Sequence, residues 1–195
     1  MVYRGAMNAA LKLMTPDDFL DWCQYQEDRW ELVNGMPIRM MTGTTQRHDE
    51  VVVNLIAELR DRLKGRPCRP RTADVAARME QGNIRRPDVT VDCGPTVPKA
   101  LASGAPTVVF EVLSPSTRTT DLLKKTAEYK AVPTLRHIAL IEPDVARAWL
   151  WSRAEESLSW AEQEIEGLEA TMPLTAIAVD LPMAAIYDGI AFEAD

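Results

Sequence analysis

The chain is poor in several features that mark common functional classes. It has only three cysteines, Cys23, Cys68 and Cys93, far apart and odd in number, with no paired metal-binding spacing. That argues against a disulfide framework and against a zinc site, and makes a reducing cytoplasm the simplest location. No apolar run approaches the roughly 18–20 residues needed to span a bilayer, so no membrane partner is expected. With only two histidines, His48 and His137, there is no basis for a His-rich metal site. A glycine-rich phosphate loop and a nucleophile elbow are both missing, and Ser114 and Ser116 lie in a turn without a recognisable base partner. No internal repeat, low-complexity tract or long polar linker divides the sequence.

What remains has the size and composition of one globular domain. The 195 residues are 46% hydrophobic and 26% charged, and a core of that size folds alone. Residues 1–14 read as a partly ordered leader without the apolar centre of a secretory signal, and residues 15–195 as a single domain. The net charge of −7 is unevenly spread. Residues 58–88 carry nine Lys/Arg against five Asp/Glu, and residues 110–136 five against three. Residues 142–195 reverse this, with two against twelve. The basic segments flank the candidate site described next, where phosphate contacts are needed; taken alone, the pattern also fits solvated surface charge.

Thr15-Pro16-Asp17-Asp18 opens a helix reaching about Gln26, because Thr caps, Pro fits the first turn and the acids suit the N-terminal dipole. Trp30 to Val33 and Met36 to Met41 flank Asn34-Gly35, a two-residue hairpin turn. Apolar residues at Val51, Val52, Leu55, Ile56, Leu59 and Leu63 predict a long amphipathic helix from His48. A basic, proline-punctuated connection follows, then short strands over 74–79 and 88–92. Thr107 to Leu113 is nearly all apolar, as in a central strand buried on both faces. A helix over 120–131 and a strand over 137–141 complete a right-handed crossover unit. Strands over 146–152 and 158–164 extend the sheet in antiparallel fashion, and 182–187 closes the chain as a short helix. The fold class is α/β, a mixed central sheet flanked by helices.

Within this frame Glu111 is the anomaly, a carboxylate inside the run TVVFEVL. An ionised buried carboxylate costs several kcal/mol unless it is paired or bound to a cation. Asp88 opens the strand Val89-Thr90-Val91 beside it, and two carboxylates on neighbouring strands suit a hard divalent cation. An ion pair to Arg85, Arg86 or another arginine satisfies the same residues. On the following helix Leu122, Lys125, Tyr129 and Val132 fall on one stripe, whereas Lys124 and Lys130 point elsewhere. Lys125 therefore interrupts an inward face, either as a functional cation or as a lysine snorkelling from its edge. Glu31 is a further ligand or the exposed face of the hairpin. His48 is a helix cap, a surface residue or a supporting contact.

Taken together, RWELVNG (29–35), His48 with its helix, RRPDVTV (85–91), VFEVLSPSTRTTDLLKKTAEYKAV (109–132) and HIALIEP (137–143) resemble the Uma-two family. This is a group of restriction-endonuclease-like domains within the PD-(D/E)XK nuclease superfamily. The most specific piece is EVLSPS followed by Asp121, Lys125 and Tyr129 at four-residue spacing. The resemblance implies a restriction-endonuclease-like core with an antiparallel extension. It also implies that Asp88 and Glu111, helped by the Val112 main-chain carbonyl, hold Mg2+ or Mn2+. Asp88, Glu111, Lys125 and Glu31 are then the catalytic set, with His48, Tyr129 and Asp121 as supporting residues. The superfamily pattern places lysine two residues after the glutamate, where this chain has Leu113; in the family the lysine sits on the next helix, matching Lys125. The implied activity is metal-dependent hydrolysis of nucleic-acid phosphodiester bonds, DNA before RNA, by a bacterial, cytoplasmic endonuclease. Lys and Arg from 60–86 and 118–136 would grip the backbone, and a homodimer would supply two sites for a duplex. The alternatives are a non-catalytic nucleic-acid- or protein-binding module that retains the nuclease fold, and a purely structural metal or ion-pair site.

Overall fold

A computed structural model describes residues 13–40, 43–114, 120–154 and 157–192, with the side chains of 120–122 excepted. Most of the expected leader, Ser116 and the Asp121 side chain lie outside the described residues.

Helix α1 (Pro16–Cys23) starts as its sequence dictates: the Thr15 side chain accepts from the Asp18 N–H and Pro16 occupies the first turn. Strands β1 (Trp30–Val33) and β2 (Met36–Arg39) form the expected hairpin, with Asn34 at φ 51° and Gly35 at φ 76° in its turn. Helix α2 (Gln46–Arg62) begins two residues before His48 because Thr45 caps it. It buries Val51, Leu55 and Leu59. The chain then continues through β3 (Arg69–Thr72), β4 (Ala77–Arg78), β5 (Ile84–Arg85), β6 (Val89–Asp92) and β7 (Pro106–Val112). Helix α3 (Thr120–Ala131) leads to β8 (His137–Glu142), β9 (Arg147–Ser152) and β10 (Ala161–Glu166). A hairpin of β11 (Thr171–Leu174) and β12 (Val179–Pro182) runs into the short α4 (Met183–Ile186).

The central sheet is mixed and has the order β10-β9-β8-β7-β6-β3. Only β7 and β8, joined by α3, run parallel; β9 and β10 form the antiparallel extension. A second sheet of order β2-β1-β5-β4 stands beside it. Side-chain alternation divides β7 between two layers. Val108, Phe110 and Val112 face α2 and the β11–β12 hairpin. Val109 faces Tyr129 and Val132 of α3, and Glu111 lies on this same face. A third cluster joins Phe19 and Leu20 of α1 to Leu32 and Ile84 of the small sheet. The α/β architecture with a mixed sheet is thus the one its periodicities foretell.

Several expectations need correction. The basic connection after α2 contains β3, an edge strand that tolerates Pro70 because an edge residue need not donate to a second neighbour. Of 74–79 only Ala77–Arg78 is strand, since residues 72–75 form a turn closed by the Val75 N–H on the Thr72 carbonyl. The last strand of the extension starts at Ala161, leaving Leu158 92% exposed before it. The cysteine reading is overturned as well: Cys68 and Cys93 form a disulfide, with Cα atoms 3.9 Å apart. The register Arg69↔Asp92 sets residues 68 and 93 opposite each other just beyond the β3–β6 ladder. Their proximity follows from a strand pairing that spacing along the sequence does not report. Cys23 is the remaining free thiol. Among the described residues no helix is long and apolar enough to cross a membrane.

Candidate active site

Asp88 and Glu111 come together through the β6–β7 ladder. Val89 pairs with Phe110, so one step further along the antiparallel ladder Asp88 stands opposite Glu111. Asp88 Oδ2 accepts the Val112 N–H at 2.8 Å and lies 3.5 Å from His48 Nε2. Glu111 is 8% exposed. Its Oε1 accepts from the Tyr129 hydroxyl at 2.5 Å and from Lys125 Nζ at 3.5 Å. These contacts leave Asp88 Oδ1 and Glu111 Oε2 as the oxygens available to a ligand.

Lys125 is buried at 8% exposure, whereas Lys124 on the next residue is exposed. The inward stripe of α3 therefore delivers an ammonium group and a phenol, Lys125 and Tyr129, to the same carboxylate. Glu31 is buried too, at 6% exposure, which removes the exposed-hairpin reading. Its Oε1 accepts from the Arg86 N–H at 3.0 Å and lies 3.4 Å from Lys125 Nζ, while Oε2 accepts from Arg85 at 2.9 Å. The Leu32↔Ile84 register makes Glu31 and Arg85 cross-strand neighbours. Both Glu31 oxygens are thus engaged by donors, and its evident work is to hold Lys125.

Behind Glu31 lies a layer that the sequence reading did not assign. The Arg85 guanidinium makes a forked pair of bonds to Glu128, from Nε at 2.7 Å and Nη2 at 2.8 Å, and the Asn83 amide donates to Glu128 at 2.9 Å. The signal was present in α3, where Lys125, Glu128 and Tyr129 sit at i, i+3 and i+4 and so share a face. Among the described residues the ion pair from an arginine left open for Asp88 does not form. Arg85 is committed to Glu31 and Glu128, and Arg86 to the carbonyls of Trp30, Ala73 and Asp74.

The electrostatics follow from burial and neighbours. Burial, with Asp88 and Glu31 close by, pushes the Glu111 carboxyl well above the usual carboxylate range, although Lys125 and Tyr129 oppose the shift. Burial pushes Glu31 the same way, but Lys125 and Arg85 outweigh it and hold that carboxyl below its ordinary value. Burial pushes the His48 imidazole down, yet Asp88 outweighs it and leaves the ring more basic than usual. Burial and the facing Glu111 carboxylate drive the Tyr129 phenol far up, so it stays a hydrogen-bond donor. His137 is remote from this site: it is buried, Nδ1 faces Ser152 Oγ at 3.0 Å and Nε2 accepts the Ala176 N–H at 3.1 Å.

The site opens into a cleft of about 1520 Å³ floored by Glu31, His48, Asp88, Glu111 and Lys125. Four carboxyl groups (Glu31, Asp88, Glu111 and Glu128) meet the Arg85 guanidinium and the Lys125 amino group. The donors facing the cleft are hard oxygens. Among the described residues no three His, Cys, Asp or Glu side chains converge as a complete metal cage. Two carboxylates and a main-chain carbonyl, completed by water, suit magnesium, which keeps part of its hydration shell.

Residues 16–184 match the family model Uma2, whose description is "Putative restriction endonuclease". The chain belongs to the Uma2 family. A Synechocystis protein named uncharacterised protein slr1290 is 26% identical over 187 residues, covering 95% of this chain and 97% of its own. The fold is shared with a crystal structure from Anabaena variabilis titled as a putative nuclease belonging to DUF820. That likeness has a TM-score of 0.68 at 18% identity and covers 89% of this Uma2 chain and 97% of the other.

Proposed function

We propose that this chain is a Mg2+- or Mn2+-dependent endonuclease of the PD-(D/E)XK type that hydrolyses phosphodiester bonds in nucleic acid, DNA above all. The observation that carries the reading is the convergence of the half-buried Asp88 carboxyl and the buried Glu111 carboxyl beside a buried lysine, at the floor of an open cleft. The family's description as a restriction endonuclease supports it.

In this reading Asp88 Oδ1, Glu111 Oε2 and the Val112 carbonyl hold the cation. The chemistry such an ion supplies is polarisation of the scissile phosphate and acidification of water. Lys125 places its ammonium beside Glu111, where it orients the attacking water or stabilises charge developing on the phosphate. Glu31 fixes the lysine, Arg85 and Glu128 fix Glu31, and Tyr129 fixes the Glu111 carboxylate. Through Asp88, His48 orients the second metal-binding carboxylate. A homodimer would supply one site per strand of a duplex, and the protein would act on nucleic acid in the cytoplasm, where the Cys68–Cys93 disulfide is a departure from the reduced thiols usual there.

Purified protein incubated with plasmid and oligonucleotide substrates and Mg2+ tests the proposal. Asp88→Ala, Glu111→Ala and Lys125→Ala should each lower cleavage by about 100-fold or more while circular dichroism stays that of the wild type. Wild-type rates in all three folded variants would remove the assignment.

A further inference from the structure

Most of the basic residues near the site are tied into the fold. In the catalytic cleft Arg29 pairs with Asp74 at 3.0 Å, Arg39 with Asp28 at 2.9 Å, and Arg86 donates to three carbonyls. In the basic stretch 58–88, Arg62 is held by Glu58, Arg66 by the carbonyls of Ile177 and Ala178, Arg78 by Asp17, and Arg85 by Glu31 and Glu128. Arg69 donates to the carbonyls of Arg66 and Cys68. The cleft wall above the catalytic floor is instead apolar, built from Val52, Val53 and Ile56 of α2 with Ile38 and Met40.

Arg60 and Lys64 differ. Both are exposed and, like the half-buried Arg71 of β3, have no ion pair or side-chain hydrogen bond among the described residues. They line a second pocket of about 510 Å³ between α2 and β3, shared with Asp61. Two features join this pocket to the catalytic cleft. Ala57 lines both, and so does one face of β3, with Thr72 in the cleft and Pro70, two residues away, in the basic pocket. Along α2, Val53, Ala57 and Arg60 are all exposed and follow one another at spacings of four and three, a single stripe, and Lys64 follows in the turn just past the helix end. Helix α2 thus leaves the catalytic site at His48 and β3 returns to it at Thr72, and the two pockets adjoin at Ala57 between these elements.

We infer that the groove between α2 and β3 carries one strand of the nucleic-acid substrate away from the cleavage site, with Arg60 and Lys64 gripping its phosphates. This rests on the nuclease reading and adds to it a backbone-binding subsite remote from the chemistry. Charge complementarity selects a polyanion as the occupant. Length suits a strand: His48 to Arg60 rises about 18 Å along the helix, or about five phosphates at roughly 3.4 Å each. A substrate of about three nucleotides fills the cleft but cannot reach the pocket, whereas one of about 12 reaches it.

The test measures binding of fluorescein-labelled oligonucleotides of about 3 and about 12 nucleotides to wild type, Arg60→Gln/Lys64→Gln and a Lys99→Gln surface control. Divalent metal is omitted and salt is varied. For the longer probe the double variant should bind about tenfold or more weakly near 0.1 M salt. Its plot of log K against log salt should be shallower by about 1.4–1.8, from roughly 0.7–0.9 per phosphate contact. The wild-type preference for the longer probe should shrink in the double variant, and Lys99→Gln should keep it. An unchanged slope in the double variant overturns the inference, as does a wild type that binds neither length. Failure of the nuclease reading looks different: the length and salt dependence appear as expected, but no metal-dependent cleavage accompanies them.

Discussion

Replacing Arg85 by methionine tests the buried scaffold behind the site, because methionine keeps much of the bulk while removing the charge. Arg85 is 3% exposed and is the shared partner of Glu31 and Glu128. Its loss strands two carboxylates in an interior where, among the described residues, Lys125, the Arg86 N–H and Asn83 are left to compensate. Removing one member of a buried ion pair costs about 3–5 kcal/mol. For a domain of this size each kcal/mol lowers Tm by about 2–4 °C, so the variant should melt about 6–20 °C below wild type at pH 7. The deficit has a pH signature. The folded-state pKa of Glu31 lies below its ordinary value of 4.5. Its ionic contribution is therefore present above the unfolded pKa and fades as pH falls through the folded one. In Arg85→Met that carboxylate has lost a main charge partner, so protonation relieves the variant and the gap in Tm should narrow below about pH 4.5. Thermal denaturation from pH 8 to pH 3.5, followed by circular dichroism, measures both. A deficit under about 2 °C at pH 7, or a large one constant across the range, would refute the account of the buried network.

Other parts of the structure make independent predictions. Burial lowers the His137 imidazole to about 4 from 6.5, so the folded state resists protonation and stability should fall by about 3 kcal/mol as pH drops from 6.5 to 4; chemical denaturation at several pH values should show this slope, and His137→Gln should flatten it. The Cys68–Cys93 bond closes a 25-residue separation; reduction should therefore cost about 3.5 kcal/mol and lower Tm by about 7–14 °C, whereas a shift below about 1 °C on adding reductant would contradict a stabilising disulfide.

The sequence made some of this structure legible and hid the rest for identifiable reasons. Local signals were sufficient where one element's pattern decides the outcome: the Thr15-Pro16 cap, the Asn34-Gly35 turn, the apolar stripe of α2 and the doubly buried β7 all have periodicity or turn chemistry of their own. Lys125 stood out because it broke an apolar stripe, and Glu111 because it broke an apolar strand. Properties set by pairing between distant segments were not legible. β3 looked like a connection because Pro70 and three basic neighbours mask an edge strand, and with β3 unread the meeting of Cys68 and Cys93 went unseen. Glu31 looked like half of a solvent-facing hairpin until Arg85, brought opposite it by β5, accounted for its burial. Sequence proximity leaves Arg85 and Arg86 open as partners for Asp88, and sheet register turns Arg85 to Glu31 instead.

The central claim is that Asp88 and Glu111 hold a divalent cation with which the chain cleaves nucleic acid. Calorimetric titration of Mg2+ and Mn2+ into wild type and Asp88→Ala/Glu111→Ala, with cleavage measured on the same samples, tests it most directly. The account predicts saturable binding and metal-dependent cleavage in wild type, both lost in the double variant although it remains folded. Equal binding or equal cleavage in the two proteins would contradict it.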